Sequence, residues 1–539
     1  MTREGSLFSS WTHAFAFWSG SAAVTAGVLL HVPMFWMGRN TGFKLAGMPM
    51  DTGMLVGMGL IVAGFAAAAY GLLPRRRTRA VVFEELAAPE NAPLKAAHWV
   101  QMAVLAVALV IDVMKAATLG FVIPGMRTEY GLNSATVSLL PFMALIGTAV
   151  GSFAWGALAD IYGRRASILL AAVMFMGTSI CGAMPSFSWN IFMCFLMGVA
   201  AGGMLPVAYA LLAEIMPTRH RGWCLVLVGG TGTIGGYFAT SALSAVLQPY
   251  FGWRIMWLIN LPIALILILI SPVLQESARF LQEMGRFQEA RETLARFGIS
   301  LSTNPIPVAG NEGGARTAQA ATPVRLRDLL GTTAALTLAA LAWGFVNFGV
   351  LLWLPGSLVA EGRSMGLASA LIARSTLIAA PTIVVAAWLY SIWSTKRVLV
   401  LAIGITTLGL IAILLRGNGT FPILSNPIVS LSLLIVGTSG VISIILPYAA
   451  ETYPLRMRGR ATGWVAGCSK TGGLIAQGLG SLALVPALGM AAGIIAIPSV
   501  LSMLMIGFLG RDTRGRDLRE LEAARAASAV SEDSAVGTA

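Results

Sequence analysis

In a chain of 539 residues, hydrophobic side chains make up 57% and charged ones only 11%, with a mean hydropathy of +0.79. Soluble domains carry about twice that charge, so a soluble globular protein is excluded. The formal net charge of +13 invites a nucleic-acid reading, which the placement of the charges removes.

Apolar runs near 20 residues, the length that crosses a hydrocarbon core of about 30 Å, recur along the whole chain. Fourteen are expected, near residues 14–37, 52–73, 98–122, 134–158, 167–185, 189–214, 222–247, 253–271, 332–354, 365–392, 397–415, 426–450, 459–485 and 488–509. The first is too long for a signal peptide and lacks a small-residue cleavage site, so it reads as a retained helix. The spans divide into two, six and six. The expected units are an extra N-terminal two-helix segment (1–80), a first six-helix bundle (98–271), a cytoplasmic linker (272–330), a second six-helix bundle (331–510) and a cytoplasmic tail (511–539). Within the linker, Arg279 to Phe297 alternates charged and apolar residues at helical spacing and reads as one surface helix. Ser302 to Thr322 is rich in Gly, Ala, Thr and Pro and reads as a flexible connection.

With residue 1 on the inside, 27 of the 36 Lys and Arg fall in inner segments, 6 in outer loops and 3 within spans. That asymmetry is the positive-inside rule, and it predicts that both termini are cytoplasmic. The basic balance therefore reports topology, and no nucleic-acid partner is expected. Arginine outnumbers lysine 31 to 5 and Gly and Ala are abundant, which points to a GC-rich bacterial source and an inner-membrane location. The 4 cysteines all lie inside apolar spans, which argues against a disulfide framework.

Glu214-x-x-Pro217-x-x-x-Arg221-Gly222 recurs 237 residues later as Glu451-x-x-Pro454-x-x-x-Arg458-Gly459. A repeat of that length suits two homologous membrane half-domains, as in transporters built from paired bundles. Gly156-Ala-Leu-Ala-Asp160-Ile-Tyr-Gly163-Arg164-Arg165 lies between the second and third spans of the first six. Gly156 permits close helix approach, Gly163 a tight turn, and the two arginines hold the loop inside.

This motif and its placement resemble the signature of the major facilitator superfamily. Glu276-Ser-Ala-Arg279-Phe-Leu, and Asp512-Thr-Arg514-Gly-Arg516-Asp after the last span, resemble motifs of its sugar porter, organic-ion and aromatic-acid–proton symporter branch. The resemblance covers about residues 98–520. It implies an all-α integral membrane protein with the major facilitator fold and two added N-terminal helices, 14 transmembrane helices in all. It also implies a cytoplasmic gate network of Asp160, Arg164, Glu214, Arg221, Glu276, Arg279, Glu451, Arg458 and Arg514. Two departures stand out. The fourth core helix reads Cys194-Phe-Leu-Met-Gly198 where the family carries an arginine, and the glycine run 229–236 lacks the proline of drug–proton antiporters.

Intramembrane charges are costly, about 2.5–3.5 kcal/mol each at the bilayer centre, so each needs a partner or a cavity. Asp112 and Lys115 share a face of the first core helix, Arg374 lies mid-span in the eighth and Lys470 in the eleventh. One acid against three bases favours an anion. By the resemblance, cations in the eighth and eleventh helices mark organic-anion transporters. Asp112 becomes the candidate proton carrier with Lys115 beside it, against the alternative of a structural Asp112–Lys115 salt bridge. Arg374 and Lys470 become candidate substrate contacts, joined by Trp343, Asn347 and Tyr448; Phe345, Phe348 and Trp353 are further aromatic neighbours.

Ser469-Lys470-Thr471 lacks the glycine of a phosphate loop and lies inside a span, and no nucleophile–base cluster is present. No enzymatic activity, cofactor or metal is expected. The expected function is secondary active transport of a small organic anion of carboxylate type, proton-coupled, by alternating access. Three readings remain beside it: export of a drug or of a secreted metabolite such as a siderophore, a non-transporting sensor or scaffold whose N-terminal pair binds a protein partner, and metal transport through His31, Met34, Met37, Met48, Met50 and Met54.

Overall fold

The computed structural model describes residues 10–73, 93–298, 326–416, 426–453 and 458–512, together with Ile423. The proposed flexible connection 302–322, the arginines at 75–79 and the tail lie outside the described residues. Long apolar segments leave the backbone one way to satisfy its polar groups in hydrocarbon, which is to coil. Thirteen described helices are long and apolar enough to span a membrane. We label them with their fourteenth companion: α1 Trp11–Thr41, α2 Thr52–Leu72, α3 Ala96–Tyr130, α4 Ser134–Tyr162, α5 Arg164–Ala183, α6 Phe187–Ile215, α7 Arg219–Phe251, α8 Ile255–Val273, α9 Leu329–Ala360, α10 Met365–Ile392, α11 Thr395–Leu414 and α12 Pro427–Thr452, then α13 Arg458–Ser481 and α14 Leu488–Leu509. α13 is 24 residues long but carries Arg458, Arg460 and Lys470, which lowers its hydropathy.

The expected single surface helix over Arg279–Phe297 is two helices, Ala278–Glu283 and Phe287–Arg296. The break falls at Gly285, whose φ of +74° lies in the left-handed region that a side chain disfavours.

The added pair, α1 and α2, crosses on glycines. A methyl group at Gly20 would stand 2.5 Å from the Gly64 carbonyl oxygen, and one at Gly27 would stand 2.6 Å from that of Gly57. The two backbones are therefore in direct contact, the small-residue mode of membrane packing. The pair lies on α5: Ile61 faces Gly177, and the Thr25 hydroxyl approaches the Met176 sulfur at 3.5 Å. α5 is almost entirely buried as a result.

The loop between α1 and α2 is fixed by charge. Glu129, at the end of α3, accepts from the Leu45 and Ala46 amides at 2.7 and 2.9 Å. Its other partners are the Arg254 guanidinium at 2.7 Å and the Trp253 indole N–H at 2.8 Å. Arg254 is fully buried and also donates to the Met184 carbonyl at 2.7 Å. One carboxylate thus ties the extra pair, α3 and the segment before α8 together.

The halves pack internally by the same glycine logic. In the first, Gly147, Gly151 and Gly198 bring α4 and α6 into backbone contact. In the second, Gly344 and Gly472 do so for α9 and α13, and Gly409 and Gly437 for α11 and α12. Between the halves, α7 packs along α10, and an apolar cluster joins Phe121, Ile234 and Tyr237 to Val350, Leu354 and Ile372. Ser244 on α7 and Ser369 on α10 share a hydrogen bond of 2.7 Å. Gly120 on α3 meets the Leu352 carbonyl on α9, and Gly480 on α13 meets Ser138 beside α4. Near the opposite ends, Gly222 on α7 faces Tyr390 and Glu451.

Glu129→Ala strands a buried guanidinium and two loop amides, a loss of about 3–5 kcal/mol for a broken buried pair. The purified variant is expected to melt well below the wild type in a thermal-unfolding scan. An unchanged melting temperature would refute the clamp.

Candidate functional site

The central site is assembled from α3, α7, α9 and α13. Lys115 on α3 is fully buried, and its Nζ sits 3.2 Å from the ring centre of Phe175 on α5. Neither this Nζ nor Asp112 Oδ1 has a hydrogen-bond partner, so the i,i+3 pair is not a hydrogen-bonded salt bridge. A desolvated cation–π contact contributes about 2 kcal/mol. That is less than the several kcal/mol an unpaired buried ion loses, which leaves the ammonium short of an anionic partner.

α9 departs from α-helical geometry over Val346–Val350, which form a π-helical turn. Such turns re-aim side chains and concentrate at functional sites. Here the turn holds Asn347, whose Oδ1 accepts from the Tyr237 hydroxyl on α7 at 3.0 Å. It also holds Phe348, whose carbonyl accepts from the Gln477 amide on α13. The Phe348 ring packs edge-on to Trp343 at 5.8 Å, and the Trp343 indole N–H donates to the Thr438 carbonyl at 2.8 Å. Lys470 Nζ stands 4.8 Å from the Phe348 ring centre. Asp112, across the two halves, lies near enough for its charge to attract that of Lys470. The result is an ammonium over an aromatic face, on helices that also carry the buried, unpartnered Gln477 Oε1 and, opposite, Thr438 Oγ1 and Asp112 Oδ1.

Two sequence candidates stand apart from this cluster. Tyr448 is fully buried near the far end of α12, and its hydroxyl donates to the Arg511 carbonyl at 2.7 Å. It braces that end of the second half. Arg374 is exposed, on the face of α10 that also presents Leu367, Leu377 and Ile378.

At the basic ends of the helices, Gly163 has a φ of +105°, and a methyl group there would collide with the Glu276 carboxylate. That carboxylate accepts from the Arg164 and Arg165 amides, each at 3.1 Å, capping α5. Burial pushes the Glu276 carboxyl above the usual range, against the pull of these amides, that of Ser277, and the Arg164 charge. Arg164 reaches Glu214 at 3.0 Å and Asp160 at 3.5 Å and stacks 5.6 Å from the Phe280 ring centre. Arg165 donates to the Ser271 carbonyl at 2.7 Å, and Arg221 makes a long contact of 3.5 Å with the Met216 carbonyl. These groups belong to the first half. Glu451, beside Gly222, is the described acid at the junction with the second. Gly156 faces open space, with nothing within 4 Å of where a methyl group would project, and Arg279 lies on the short helix Ala278–Glu283. The side chain of Arg458 and all of Arg514 lie outside the described residues.

Residues 105–477 match the family description "Major Facilitator Superfamily". The chain belongs to the major facilitator superfamily. It is thus a multi-pass membrane transporter of that superfamily and not an enzyme. The niacin transporter NiaP of Acinetobacter baylyi is 26% identical over 80% of this chain and 98% of its own length. The gallate transporter of Pseudomonas putida is 26% identical over 74% of this chain and 89% of its own. The gentisate transporter of Corynebacterium glutamicum is 27% identical, over 73% and 83%. The proton:xylose symporter XylE, solved with 6-bromo-6-deoxy-D-glucose, superposes with a TM-score of 0.61 at 17% identity, covering 79% of this chain and 98% of that one. This last likeness speaks for the fold alone. The family match begins at residue 105, so α1 and α2 precede it.

Sequence reasoning passed over Tyr237 and Gln477. Gln477 had a signal: an amide in an apolar span, seven residues after Lys470 and so on the same helix face. Tyr237 follows the glycine run of α7, which drew attention to packing instead.

Gly163→Ala forces a side chain into a disfavoured φ against the Glu276 carboxylate, a loss of about 1–3 kcal/mol. The variant is expected to melt earlier than the wild type. Gly156→Ala, with open space around it, is expected to melt as the wild type does.

Proposed function

We propose that the chain carries a small aromatic carboxylate into the cell across a bacterial cytoplasmic membrane, driven by protons. The observation that carries this reading is the Lys470 ammonium poised over the Phe348 face, with Asp112 Oδ1 lacking a hydrogen-bond partner across the bundle interface. A carboxylate pairs with the ammonium, and the attached ring stacks on Phe348 and Trp343, a mostly apolar site with a few convergent polar groups. Relatives named for niacin, gallate and gentisate support this class, since all three are aromatic carboxylic acids.

Coupling follows from competition for one cation. While Asp112 is ionised it attracts Lys470 across the two halves. A proton on Asp112 removes that attraction and frees Lys470 for the incoming carboxylate, so proton and anion load together. Lys115 supplies a second cation one turn along α3. The halves then rock about the site, and the Tyr237–Asn347 hydrogen bond and the Ser244–Ser369 contact are among those remade between the outward and inward forms. The gate residues Asp160, Arg164, Arg165, Glu214, Arg221, Glu276, Arg279, Glu451, Arg458 and Arg514 close the cytoplasmic side in the outward form. Both termini face the cytoplasm, as the charge distribution argues.

The test is a thermal-shift screen of detergent-purified protein against aromatic carboxylates, organic cations and neutral sugars. A ligand that binds the folded form raises the melting temperature. Aromatic carboxylates are expected to stabilise the wild type, and Lys470→Ala is expected to lose that response. Stabilisation by cations or sugars, unchanged by the substitution, would overturn the reading.

Asp112→Asn separates coupling from binding. In proteoliposomes it is expected to lose accumulation driven by a pH gradient, by about tenfold or more, while keeping substrate exchange at equal pH. A variant that accumulates substrate normally would remove Asp112 from the coupling role.

A further inference from the structure

A cavity of about 160 Å³ lies between α7, α10, α11 and α12. Its walls come from both halves: Val226 and Gly230 on α7 belong to the first, and Val385, Ala386, Leu401 and Ile405 on α10 and α11 to the second. The lining is almost wholly apolar. Of its hydroxyls, Thr382 donates back to the Ala379 carbonyl and Ser443 to the Ser439 carbonyl, so both are satisfied within their own helices.

The origin of the gap is visible in α10. Its α-helical stretches are Met365–Ala379 and Thr382–Ile392, parted at Pro381, which has no N–H to continue the ladder. The second stretch leans on α7, with Ile383 against Gly230, and stands off from α11.

The mouth opens sideways. Val385 is 50% exposed and Leu401 44%, and they continue into the exposed apolar face formed by Val384, Trp388 and Leu408. These residues lie within spanning helices, so the surface around the mouth is hydrocarbon-facing. With only the Thr382, Ser439 and Ser443 hydroxyls in an otherwise apolar lining, such a cavity offers water few hydrogen-bond partners. Apolar chains lie against its entrance at the density of the bilayer itself.

We propose that the cavity binds the acyl chain of a membrane phospholipid from the leaflet next to the basic loops, and that this chain wedges between the two halves. The placement in that leaflet follows from Leu401 and Ile405, which lie within three turns of the start of α11 at Thr395 and the basic Lys396-Arg397 pair. Because its walls belong to both halves, an occupant that fits one arrangement better shifts the balance between the outward and inward forms.

The test uses the full chain reconstituted in bilayers with a phospholipid bearing a diazirine midway along one acyl chain. After illumination, label is expected on peptides containing Val385, Ala386, Leu401 and Ile405. Ala386→Phe, which fills the cavity, is expected to lower that labelling at least fivefold and to change the substrate exchange rate more than twofold. Leu401→Trp, which narrows the mouth at an exposed position, repeats the test should Ala386→Phe fold poorly. Val62→Phe, on the exposed face of α2 and away from the mouth, is expected to leave both readouts unchanged. Label spread evenly around the apolar belt, or unaltered by both cavity variants, would overturn the site. Loss of label with an unchanged exchange rate would overturn the wedge. Release of a bound apolar metabolite in place of lipid would overturn the assignment of the occupant.

Discussion

Hydrocarbon offers no hydrogen bonds, and that constraint organises the whole molecule. Each span must be a helix, and once every span is a helix, the hydrophobic effect no longer distinguishes helix–helix contact from lipid contact. Packing must then come from close approach. The glycines at 20 and 64, 147, 151 and 198, and 344 and 472 place backbone against backbone within each unit. Contacts between the halves add an apolar cluster, in which Phe121, Ile234 and Tyr237 meet Val350, Leu354 and Ile372, to the Ser244–Ser369 and Tyr237–Asn347 hydrogen bonds.

The same constraint sorts the charges. Arg254 and Glu129 are both buried and fully engaged, with loop amides and backbone carbonyls completing their partners, so they hold structure. Arg164, Glu276 and Glu214 are paired at the other end, with Arg164 Nε and Glu214 Oε2 left buried without a partner. Asp112 and Lys115 differ, since buried polar atoms on both lack partners. A satisfied buried charge needs nothing further, whereas an unsatisfied one favours any ligand or proton that completes it. That difference in satisfaction separates the central site from the Glu129–Arg254 clamp.

Much of this was legible in the sequence, for identifiable reasons. The repeated Glu-x-x-Pro-x-x-x-Arg-Gly element revealed the two halves because it is a local string that survives divergence. The spans were legible because apolar length is a composition property. What escaped depends on tertiary geometry. Arg254 counted as an outer-loop charge, since nothing local shows that Glu129, Tyr130 and Met184 close around it. The π-helical turn of α9 is held by Gln477 from a helix more than a hundred residues away. Tyr448 was placed on the correct helix but not at its true depth, because an aromatic residue in an apolar run looks the same at the centre as at the end. The amphipathic period over Arg279–Phe297 was real, yet Gly285 divides it, and periodicity carries no penalty for one left-handed residue.

The added N-terminal pair bears on the charges as well as the packing. It covers α5, and α5 carries Phe175, on which Lys115 rests. Without α1 and α2, the face of α5 around Met176 and Gly177 would meet lipid, and an unpaired ammonium would sit one helix from hydrocarbon. With them, a further protein layer containing Thr25 and buried His31 intervenes. A charge interacts more favourably with polarisable protein dipoles than with alkyl chains, so the extra layer lowers the penalty for keeping Lys115 where it is. The Glu129 clamp fixes that layer to α3, the helix that bears Lys115 itself. The insulating layer and the charge it shields are therefore tied into one unit.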